Sequence, residues 1–338
     1  MTPNPVLVEL TRGDLVESVH RGSIAVADAE GAIRFALGDV ETPVYPRSSL
    51  KPIQALPLLE SGAADAFAMS EEEVALACAS HSGEPMHTTR VAAWLKRIGC
   101  AESDLACGAH PARYEPTMED MIRRGEAPTR LHNNCSGKHA GFLTLARSWN
   151  VAIEGYERHD HPVQRAVAAA LGELSGVGGD LPWGVDGCAA PNFALALTAM
   201  ARALAVFAAP ERLSPARAKA CRRIVSAMIA HPDLVSGTGR ACQIMMRSCG
   251  GKAAVKAGAE GFYAALLPGL KLGVAIKIDD GAGRAAEAVM AALLDKLGVL
   301  GADEAARELV QAPIRNTRGA AVGERRIAGA LREVRLAA

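Results

Sequence analysis

Runs of apolar residues with the periodicity of extended chain lie at both ends of the sequence. Near the start, turn residues at 13–14 and 30–31 separate three such runs. They predict strands at 6–10, 16–26 and 32–37. Later runs predict further strands at 253–255, 261–267, 272–278 and 326–336. We therefore expect a sheet assembled from both ends of the chain.

The middle of the chain has helical periodicity instead. Helices are predicted over 48–60, 70–78, 88–98, 136–149, 162–174, 191–207 and 214–229, and after the later strands over 284–297 and 302–309. This order predicts an α+β fold, with an antiparallel sheet built from both chain ends and a helical lobe inserted between them. We expect one domain over 1–338, with a sheet lobe at about 1–47 and 250–338 and a helical lobe at about 48–249.

Composition narrows the class of protein. Lys plus Arg and Asp plus Glu both number 37, so no basic excess favours binding to nucleic acid or to anionic lipid. No apolar run reaches the ~18 residues that a membrane span needs, and the first residues lack a signal-peptide pattern. The eight cysteines are sparse and form no CxxC pair, which favours reduced thiols. We expect a cytoplasmic protein that binds neither membranes nor nucleic acid.

Two serine-containing motifs could carry nucleophilic chemistry. In RSSLKP, Ser48 and Lys51 are three residues apart, so a helix beginning near Ser48 would bring both side chains to one face. A desolvated lysine could then serve as the base that activates the hydroxyl. The alternative is a helix-capping serine followed by a solvated lysine. In SHSGEP, Ser80 could supply a second hydroxyl, or the segment could be an ordinary turn.

A cluster of polar and sulfur-containing residues opens a later apolar helix, in HNNCSGKHAG. Cys135, Lys138 and His139 are spaced to share a helix face, where the thiol could be a nucleophile or a metal ligand. Cys188, in VDGCAAPN, could join Cys135 at a metal, and Asp186 could bind an amino group or orient a base. The alternative there is a tight turn with a buried thiol. From residue chemistry alone, His139 is preferred to Lys138 as a ligand, because lysine binds a metal only when neutral.

A third segment, Lys256-Ala257-Gly258, completes an order of motifs typical of penicillin-binding enzymes. Those enzymes have SxxK, then a serine-containing triplet, then Lys-Thr-Gly on a strand. This chain departs from their pattern at two places: the triplet ends in Ser82 rather than asparagine, and Ala257 replaces the threonine. The order favours a shared architecture more than a shared family.

Together the motifs resemble those of the rhizobial-type, class-three L-asparaginases. The resembling stretches are ELTRG, ESVHRG, RSSLKP, SHSGE, HNNCSGKHAGF, VDGCAAPNF, KAGAEG, LGVAIKIDDGAGRA and RNTRG, which together span nearly the whole chain. The resemblance implies a serine β-lactamase and glutaminase-like, penicillin-binding-like fold and a homodimer. It also implies hydrolysis of L-asparagine to L-aspartate and ammonia.

The same resemblance implies two Ser-Lys tandems. They correspond to Ser48 with Lys51 and to Ser80 with a downstream lysine, which we assign to Lys256. Lys252 is the alternative for this second lysine.

The resemblance further implies a Zn²⁺ ion held by Cys135, Lys138 and Cys188, which overrules the preference for His139 as a ligand. His139 is then expected to line the substrate site. An amino-acid substrate needs a binder for its carboxylate and an acceptor for its ammonium group. Arg47 is the candidate for the first and Asp186 for the second.

Three alternatives to an asparaginase remain open at this level. A glutaminase would use the same chemistry, and one methylene changes binding by only ~1–3 kcal/mol. A different SxxK acylase would react with β-lactams. A non-enzymatic protein that binds zinc or an amino acid would need no Ser-Lys pairs.

Overall fold

The computed structural model describes residues 3–178 and 180–336. Residues 1, 2, 179, 337 and 338, which belong to the domain expected over 1–338, lie outside the described residues. The chain divides into two compact units. The sheet unit comprises Met1–Ser49, Leu195–Ala209 and Ile244–Ala338, and the helical unit comprises Leu50–Ala194 and Pro210–Gln243.

The strands are β1 (Val6–Arg12), β2 (Leu15–Asp28), β3 (Ile33–Leu37), β4 (Trp183–Val185), β5 (Pro191–Phe193), β6 (Ala254–Ala257), β7 (Phe262–Leu267), β8 (Leu272–Ile278), β9 (Ala312–Arg315) and β10 (Ala321–Ile327). The helices are α1 (Lys51–Gln54), α2 (Leu56–Glu60), α3 (Ala63–Ala66), α4 (Glu71–Ala77), α5 (Pro85–Arg97), α6 (Glu115–Arg124), α7 (Ser136–Ser148), α8 (Pro162–Ser175), α9 (Leu197–Ala208), α10 (Pro215–Ala230), α11 (Pro232–Ser236), α12 (Ala241–Ser248), α13 (Gly283–Lys296), α14 (Glu304–Val310) and α15 (Gly329–Arg332).

An antiparallel sheet organises the sheet unit. Its strand order is β6-β7-β8-β2-β1-β10-β9, and β3 also pairs with β2. Every residue of β7 is buried, and nearly every residue of β8. Because successive side chains point to opposite faces, this burial requires that both faces of the sheet are covered. Helices α9 and α13 both pack on these strands, and Gly273 of β8 allows the backbone of α9 to approach closely.

Helices α2, α4, α5, α7, α8 and α10 pack together in the helical unit, where β4 and β5 form a separate hairpin. The glycines of the HNNCSGKHAG motif permit this packing at α7. A Cβ atom on Gly137 would collide with the carbonyl of Leu76 in α4, and one on Gly141 would lie 3.2 Å from the side chain of Leu58. Much of this motif's glycine content is therefore explained by helix packing.

The structure confirms the predicted α+β class, with an antiparallel sheet drawn from both chain ends and a set of helices. In the structure α9 and the end of α12, from Ile244, belong with the sheet unit, whereas the helical lobe expected at about 48–249 included both. In the described ranges, 3–178 and 180–336, we find no helix with both the length and the apolar content to cross a membrane.

Several predicted elements are wrong in extent. The helix expected over 48–60 is divided into a 3₁₀ helix, Arg47–Leu50, followed by α1 and α2. Pro52 and Pro57, which lack the N–H that a continuous helix would use, lie in the first turns of α1 and α2. The helix expected over 191–207 starts only at Leu197. The strand expected over 326–336 lies instead at β10 (Ala321–Ile327), and α15 begins at Gly329 after its N-cap, Ala328.

Candidate active site

Ser48 lies in the 3₁₀ helix of the sheet unit. The preceding residue, Arg47, has φ 52°, in the left-handed region that residues other than glycine seldom adopt. Such a conformation costs roughly 1–3 kcal/mol and persists only where surrounding contacts impose it. Both side chains are half-buried. The serine therefore lies in a strained, well-determined turn rather than at the start of a regular helix.

Strand β6 holds this segment from the side. The hydroxyl of Ser49 donates to the carbonyl of Lys256 at 2.9 Å. Gly258 lies so close that a Cβ atom there would be 2.5 Å from the carbonyl oxygen of Pro46 and 3.1 Å from Ser49 Oγ. The glycine of the Lys256-Ala257-Gly258 motif is thus required for the approach of the serine-bearing segment.

The two candidates for the second lysine differ in burial. The side chain of Lys256 is buried, with 1% exposure, and its Nζ donates to the carbonyl of Ala257 at 2.8 Å. Lys252 lies in an exposed turn before β6. An exposed, strongly hydrated lysine side chain is mobile, whereas a buried one is held in a fixed position. Burial therefore favours Lys256.

Lys51 meets Ser80 in the helical unit. Lys51 is buried, and its Nζ lies 3.0 Å from Ser80 Oγ. Nζ also donates to the carbonyl of Ala79 and, at 3.4 Å, to that of Asn134. Three oxygen partners therefore fix the position of Nζ. The alternative of a solvated first-turn lysine is wrong.

The second cluster of the helical unit consists of two thiols and an amine. Cys135, at the start of α7, and Cys188, in the turn between β4 and β5, are both buried and share a hydrogen bond. Lys138 Nζ lies 2.9 Å from Cys188 Sγ. Asp186 lies next to this group, and its Oδ1 accepts from the backbone N–H of Cys188 at 3.4 Å.

The contacts distinguish the two thiols electrostatically. The hydrogen bond from Cys135 and the nearby Lys138 ammonium lower the pKa of Cys188. The same hydrogen bond, together with burial, raises the pKa of Cys135. Burial alone would lower the pKa of Lys138, but the two sulfur atoms outweigh it and raise that pKa. The cluster is therefore a thiolate at Cys188 that accepts from a thiol and an ammonium.

The donor set of this cluster fits the chemistry of zinc. Soft thiolates are preferred zinc ligands, and a deprotonated lysine amine can supply a nitrogen. The cluster is not a conventional metal site, because among residues 3–178 and 180–336 no three His, Cys, Asp or Glu side chains are grouped to hold a metal. The fit depends on Lys138 acting as a ligand, and the zinc ion itself stays a prediction.

His139 follows Lys138 on α7 and is fully buried. Its Nδ1 lies 2.7 Å from the hydroxyl of Tyr156, while its Nε2 has no hydrogen-bond partner. Burial is the main cause that keeps the pKa of His139 well below its usual range, and the nearby Lys138 adds to it. The ring is therefore neutral.

The structure brings together two groups within the helical unit: Lys51 with Ser80, and Cys135, Lys138, Cys188, Asp186 and His139. The sheet unit holds Arg47, Ser48 and Lys256. Each implied tandem has one member in each unit, so the pairing of Ser48 with Lys51 and of Ser80 with Lys256 stays a prediction.

Sequence reasoning missed residues that act through the backbone or from distant loops. The carbonyls of Ala79 and Asn134 hold Lys51, which no residue-type signal could reveal. Cys107 is a third buried thiol. Burial, with a smaller contribution from the nearby Cys135, raises the pKa of Cys107 to about 12. Tyr156, from the loop after α7, escaped notice because nothing in its surrounding sequence marks it.

Solved structures resemble this chain only distantly. A putative β-lactamase from Bacteroides dorei DSM 17855 is 15% identical, with 76% of this chain and 84% of that chain covered and a TM-score of 0.42. Mglu in its native form is 18% identical over 89% of this chain and 70% of that chain, with a TM-score of 0.40. An octameric penicillin-binding protein homologue from Pyrococcus abyssi is 13% identical, with 82% and 73% covered and a TM-score of 0.35. No curated protein matches the chain.

The sequence model of a family described as L-asparaginase II matches residues 8–327. This range contains every candidate residue described above and nearly the whole chain. The match confirms the family predicted from the motifs, and with it the predicted activity. The chain belongs to the L-asparaginase II family and is a hydrolase of L-asparagine.

Proposed function

We propose that this L-asparaginase cleaves the side-chain amide of L-asparagine by acyl transfer through Ser-Lys pairs, and releases L-aspartate and ammonia. The observation that carries the proposal is the buried Lys51 side chain, whose Nζ lies 3.0 Å from Ser80 Oγ although the two residues come from separate motifs of the sequence. A buried lysine in contact with a serine hydroxyl is the arrangement that proton transfer to or from that hydroxyl requires.

The first half of the reaction forms an ester. Ser48 Oγ attacks the side-chain amide carbon, and Lys51 in its neutral form takes the hydroxyl proton. Ser80 gives its hydroxyl proton to the amide nitrogen, assisted by Lys256, and takes in exchange the proton that Lys51 received from Ser48. The C–N bond breaks, ammonia leaves, and the aspartyl group is bound to Ser48. Fixing these groups before reaction removes much of the entropic cost of bringing them together.

The second half hydrolyses the ester. Water attacks the same carbon, its proton passes through Lys51 to Ser48 Oγ, and the bond between that oxygen and the carbon breaks, which releases L-aspartate and restores the free serine. Arg47 would bind the substrate's α-carboxylate, and Asp186 its α-ammonium group, because opposite charges at those two ends fix the orientation of an amino acid. His139 would complete the pocket.

Cys135, Lys138 and Cys188 would hold the predicted zinc ion, which when bound would supply a Lewis-acidic centre. Without the metal, the Lys138 ammonium and the Cys188 thiolate form a buried ion pair, so neither charge is left unpaired. Assembly as a homodimer and a cytoplasmic location remain part of this proposal and rest on the resemblance alone.

The test is ammonia release from L-asparagine and L-glutamine by the wild type and by Ser48→Ala, Ser80→Ala and Lys256→Met. Each variant should lose at least ~100-fold in kcat, as expected when an activating group is removed. Lys252→Met is the matched control, because Lys252 is exposed, and it should keep wild-type activity. Full activity in Ser48→Ala would refute the ester route.

Mass spectrometry after rapid acid quenching adds a readout that does not depend on rates. An aspartyl adduct should be found on the peptide containing Ser48 and should be absent in Ser48→Ala. An adduct on Ser80 instead would exchange the roles of the two serines. A higher kcat/KM for glutamine than for asparagine would favour the glutaminase alternative.

A further inference from the structure

The side chain of His139 carries a polar atom that the protein itself leaves without a partner. His139 is fully buried, and its Nε2 makes no hydrogen bond. Among residues 3–178 and 180–336, only two other side-chain atoms are buried without a partner, one on Gln164 and one on Arg325. Leaving a buried polar group unpaired costs free energy, so such groups in native proteins call for an explanation.

The hydrogen-bond network around Tyr156 fixes which nitrogen of His139 carries the proton. The Tyr156 hydroxyl oxygen accepts from the backbone N–H of Ala106 at 2.8 Å and lies 2.7 Å from His139 Nδ1. Tyr156 is buried, and burial raises its pKa, so the hydroxyl keeps its proton. That proton has His139 Nδ1 as its acceptor. Because Nδ1 accepts that proton it has no hydrogen of its own, and the ring hydrogen is on Nε2.

The packing around the ring prevents other orientations. The His139 ring makes edge contacts with Tyr156 and Phe142, at centroid distances of 5.5 and 5.8 Å. The Tyr156 backbone is held in turn, because Gln164 Nε2 donates to its carbonyl at 2.9 Å. Nε2–H is therefore a fixed donor. Lys51, Cys135 and Lys138 all act electrostatically on this ring.

We infer that Tyr156 is a positioning residue, which holds His139 as an Nε2–H donor to an acceptor oxygen of the bound amino acid. The inference rests on the proposed function for the identity of the ligand, and it concerns binding rather than the acyl-transfer step. An oxygen of the substrate or product would satisfy the donor that the protein leaves unpaired. Tyr156 itself does not touch the ligand.

Two substitutions of His139 test the roles of its two ring nitrogens separately. Glutamine places an amide N–H near the position of Nε2, whereas asparagine places one near Nδ1. In His139→Gln, KM for asparagine should stay within about threefold of wild type, and in His139→Asn it should rise by roughly tenfold, the loss of one hydrogen bond. Equal KM values in the two variants would overturn the inference.

A double-mutant cycle tests the role of Tyr156. Tyr156→Phe removes the proton that fixes Nδ1, and KM should rise by roughly tenfold with a smaller change in kcat. In the His139→Gln background the same change should alter KM less than twofold, because no tautomer remains to be fixed. Equal effects in both backgrounds would indicate a merely structural role. Thermal unfolding of each variant monitors folding.

Nuclear magnetic resonance of protein labelled with ¹⁵N-histidine gives a readout that is independent of turnover. The His139 signals should show the Nε2–H tautomer in the wild type and a mixture in Tyr156→Phe. Addition of L-aspartate, the reaction product, should shift the Nε2 resonance. An Nδ1–H tautomer, or an Nε2 resonance that saturating aspartate leaves unchanged, would refute the inference. If the proposed Ser-Lys mechanism were wrong, the tautomer of His139 and its response to aspartate would be unchanged. Failure of the mechanism and failure of this inference are therefore distinguishable.

Discussion

Glu84 binds Thr238 through both of its carboxylate oxygens. Oε1 accepts from the backbone N–H of Thr238 at 2.9 Å, and Oε2 accepts from its hydroxyl at 2.7 Å. Ser82 Oγ donates to Oε1 as well, at 2.5 Å, and the N–H of Ser80 donates to the carbonyl of Val235 at 2.9 Å. The loop that presents Ser80 to Lys51 is thus tied at both ends to residues 235–238.

We predict that Glu84→Ala lowers both stability and activity. The substitution leaves the buried hydroxyl of Ser82 without its acceptor and removes two bonds to Thr238, which is exposed, so it should reduce the free energy of unfolding by about 1–3 kcal/mol. Glu84→Gln keeps the shape and part of the bonding, and should cost about half as much. Urea unfolding and asparagine turnover check both values. Glu211→Gln, at an exposed site, is the control and should change neither.

The close approach at Gly258 gives a second prediction. Gly258→Ala places a methyl group against the carbonyl of Pro46 and the hydroxyl of Ser49, so the segment that carries Ser48 must move. We expect kcat to fall at least ~10-fold, with a loss of ~1–3 kcal/mol in stability from overpacking. Gly269→Ala, in the same unit, has open space around its Cβ position and should be neutral. Unchanged kcat in Gly258→Ala would show that this approach does not position the serine.

Elements made from strongly patterned segments were predictable, as the strands at 261–267 and 272–278 show. The first, GFYAALL, is a continuous apolar run followed by proline. The second, LGVAIKI, is apolar except for Lys277 and is followed by Asp-Asp-Gly; the two became β7 and β8. The extent of the helix in segment 191–207 was not predictable, because the apolar content of this segment suits a helix or a buried strand equally. Pairing of β5 with β4 decides its first residues, and Trp183 is the partner of Phe193 in that pairing.

The residue types of the candidate site were predictable, whereas their contacts were not. Lys51 and Ser80 stood out as members of motifs, but a spacing of 29 residues says nothing about distance, and Ser48 seemed the natural partner of Lys51. Tyr156 and Glu84 could not be recognised, since their roles depend on which loop packs beside them. Local pattern constrains an element, and only tertiary packing determines which side chains meet.

His87 leads to a prediction about pH. It is buried, its Nδ1 accepts from the N–H of Glu84 at 3.2 Å, and its Nε2 lies 3.0 Å from the carbonyl of Asp233. These bonds suit the neutral ring with its hydrogen on Nε2. Burial is the main cause that lowers the pKa of His87, and Arg90 adds to it, while the Asp233 carbonyl and the Glu84 charge work in the opposite direction.

The direction in which pH changes the free energy of unfolding follows from proton binding to His87. Below pH ~6.5 the unfolded chain protonates this histidine and the folded chain does not, so the stabilisation present above that pH is lost as the pH falls. Between pH 7.5 and 5 this contributes at most about 2 kcal/mol. Urea unfolding at both pH values should show a smaller pH dependence in His87→Gln than in the wild type. His110→Gln serves as the control, and an equal slope in both variants would refute the assignment.

The thiol–amine cluster gives a prediction about metal content. If zinc is bound by Cys135, Lys138 and Cys188, the purified wild type should contain about one zinc ion per chain, measured by inductively coupled plasma mass spectrometry. Cys188→Ser removes a soft ligand and should lower zinc content strongly, while Cys100→Ser, a thiol outside the cluster, should leave it unchanged.

Lys138→Arg is the most discriminating change at this cluster. Arginine keeps a positive charge beside the Cys188 thiolate, so the charge pairing in the fold is preserved, but it cannot lose its proton and so cannot donate a lone pair to a metal. We expect Lys138→Arg to unfold near the wild-type temperature when both proteins are metal-free, yet to bind zinc at least ~10-fold more weakly in competition with a chelator. Zinc binding as tight as that of the wild type would mean that the lysine is a counter-ion of the thiolate and that the metal, if present, takes its nitrogen ligand elsewhere.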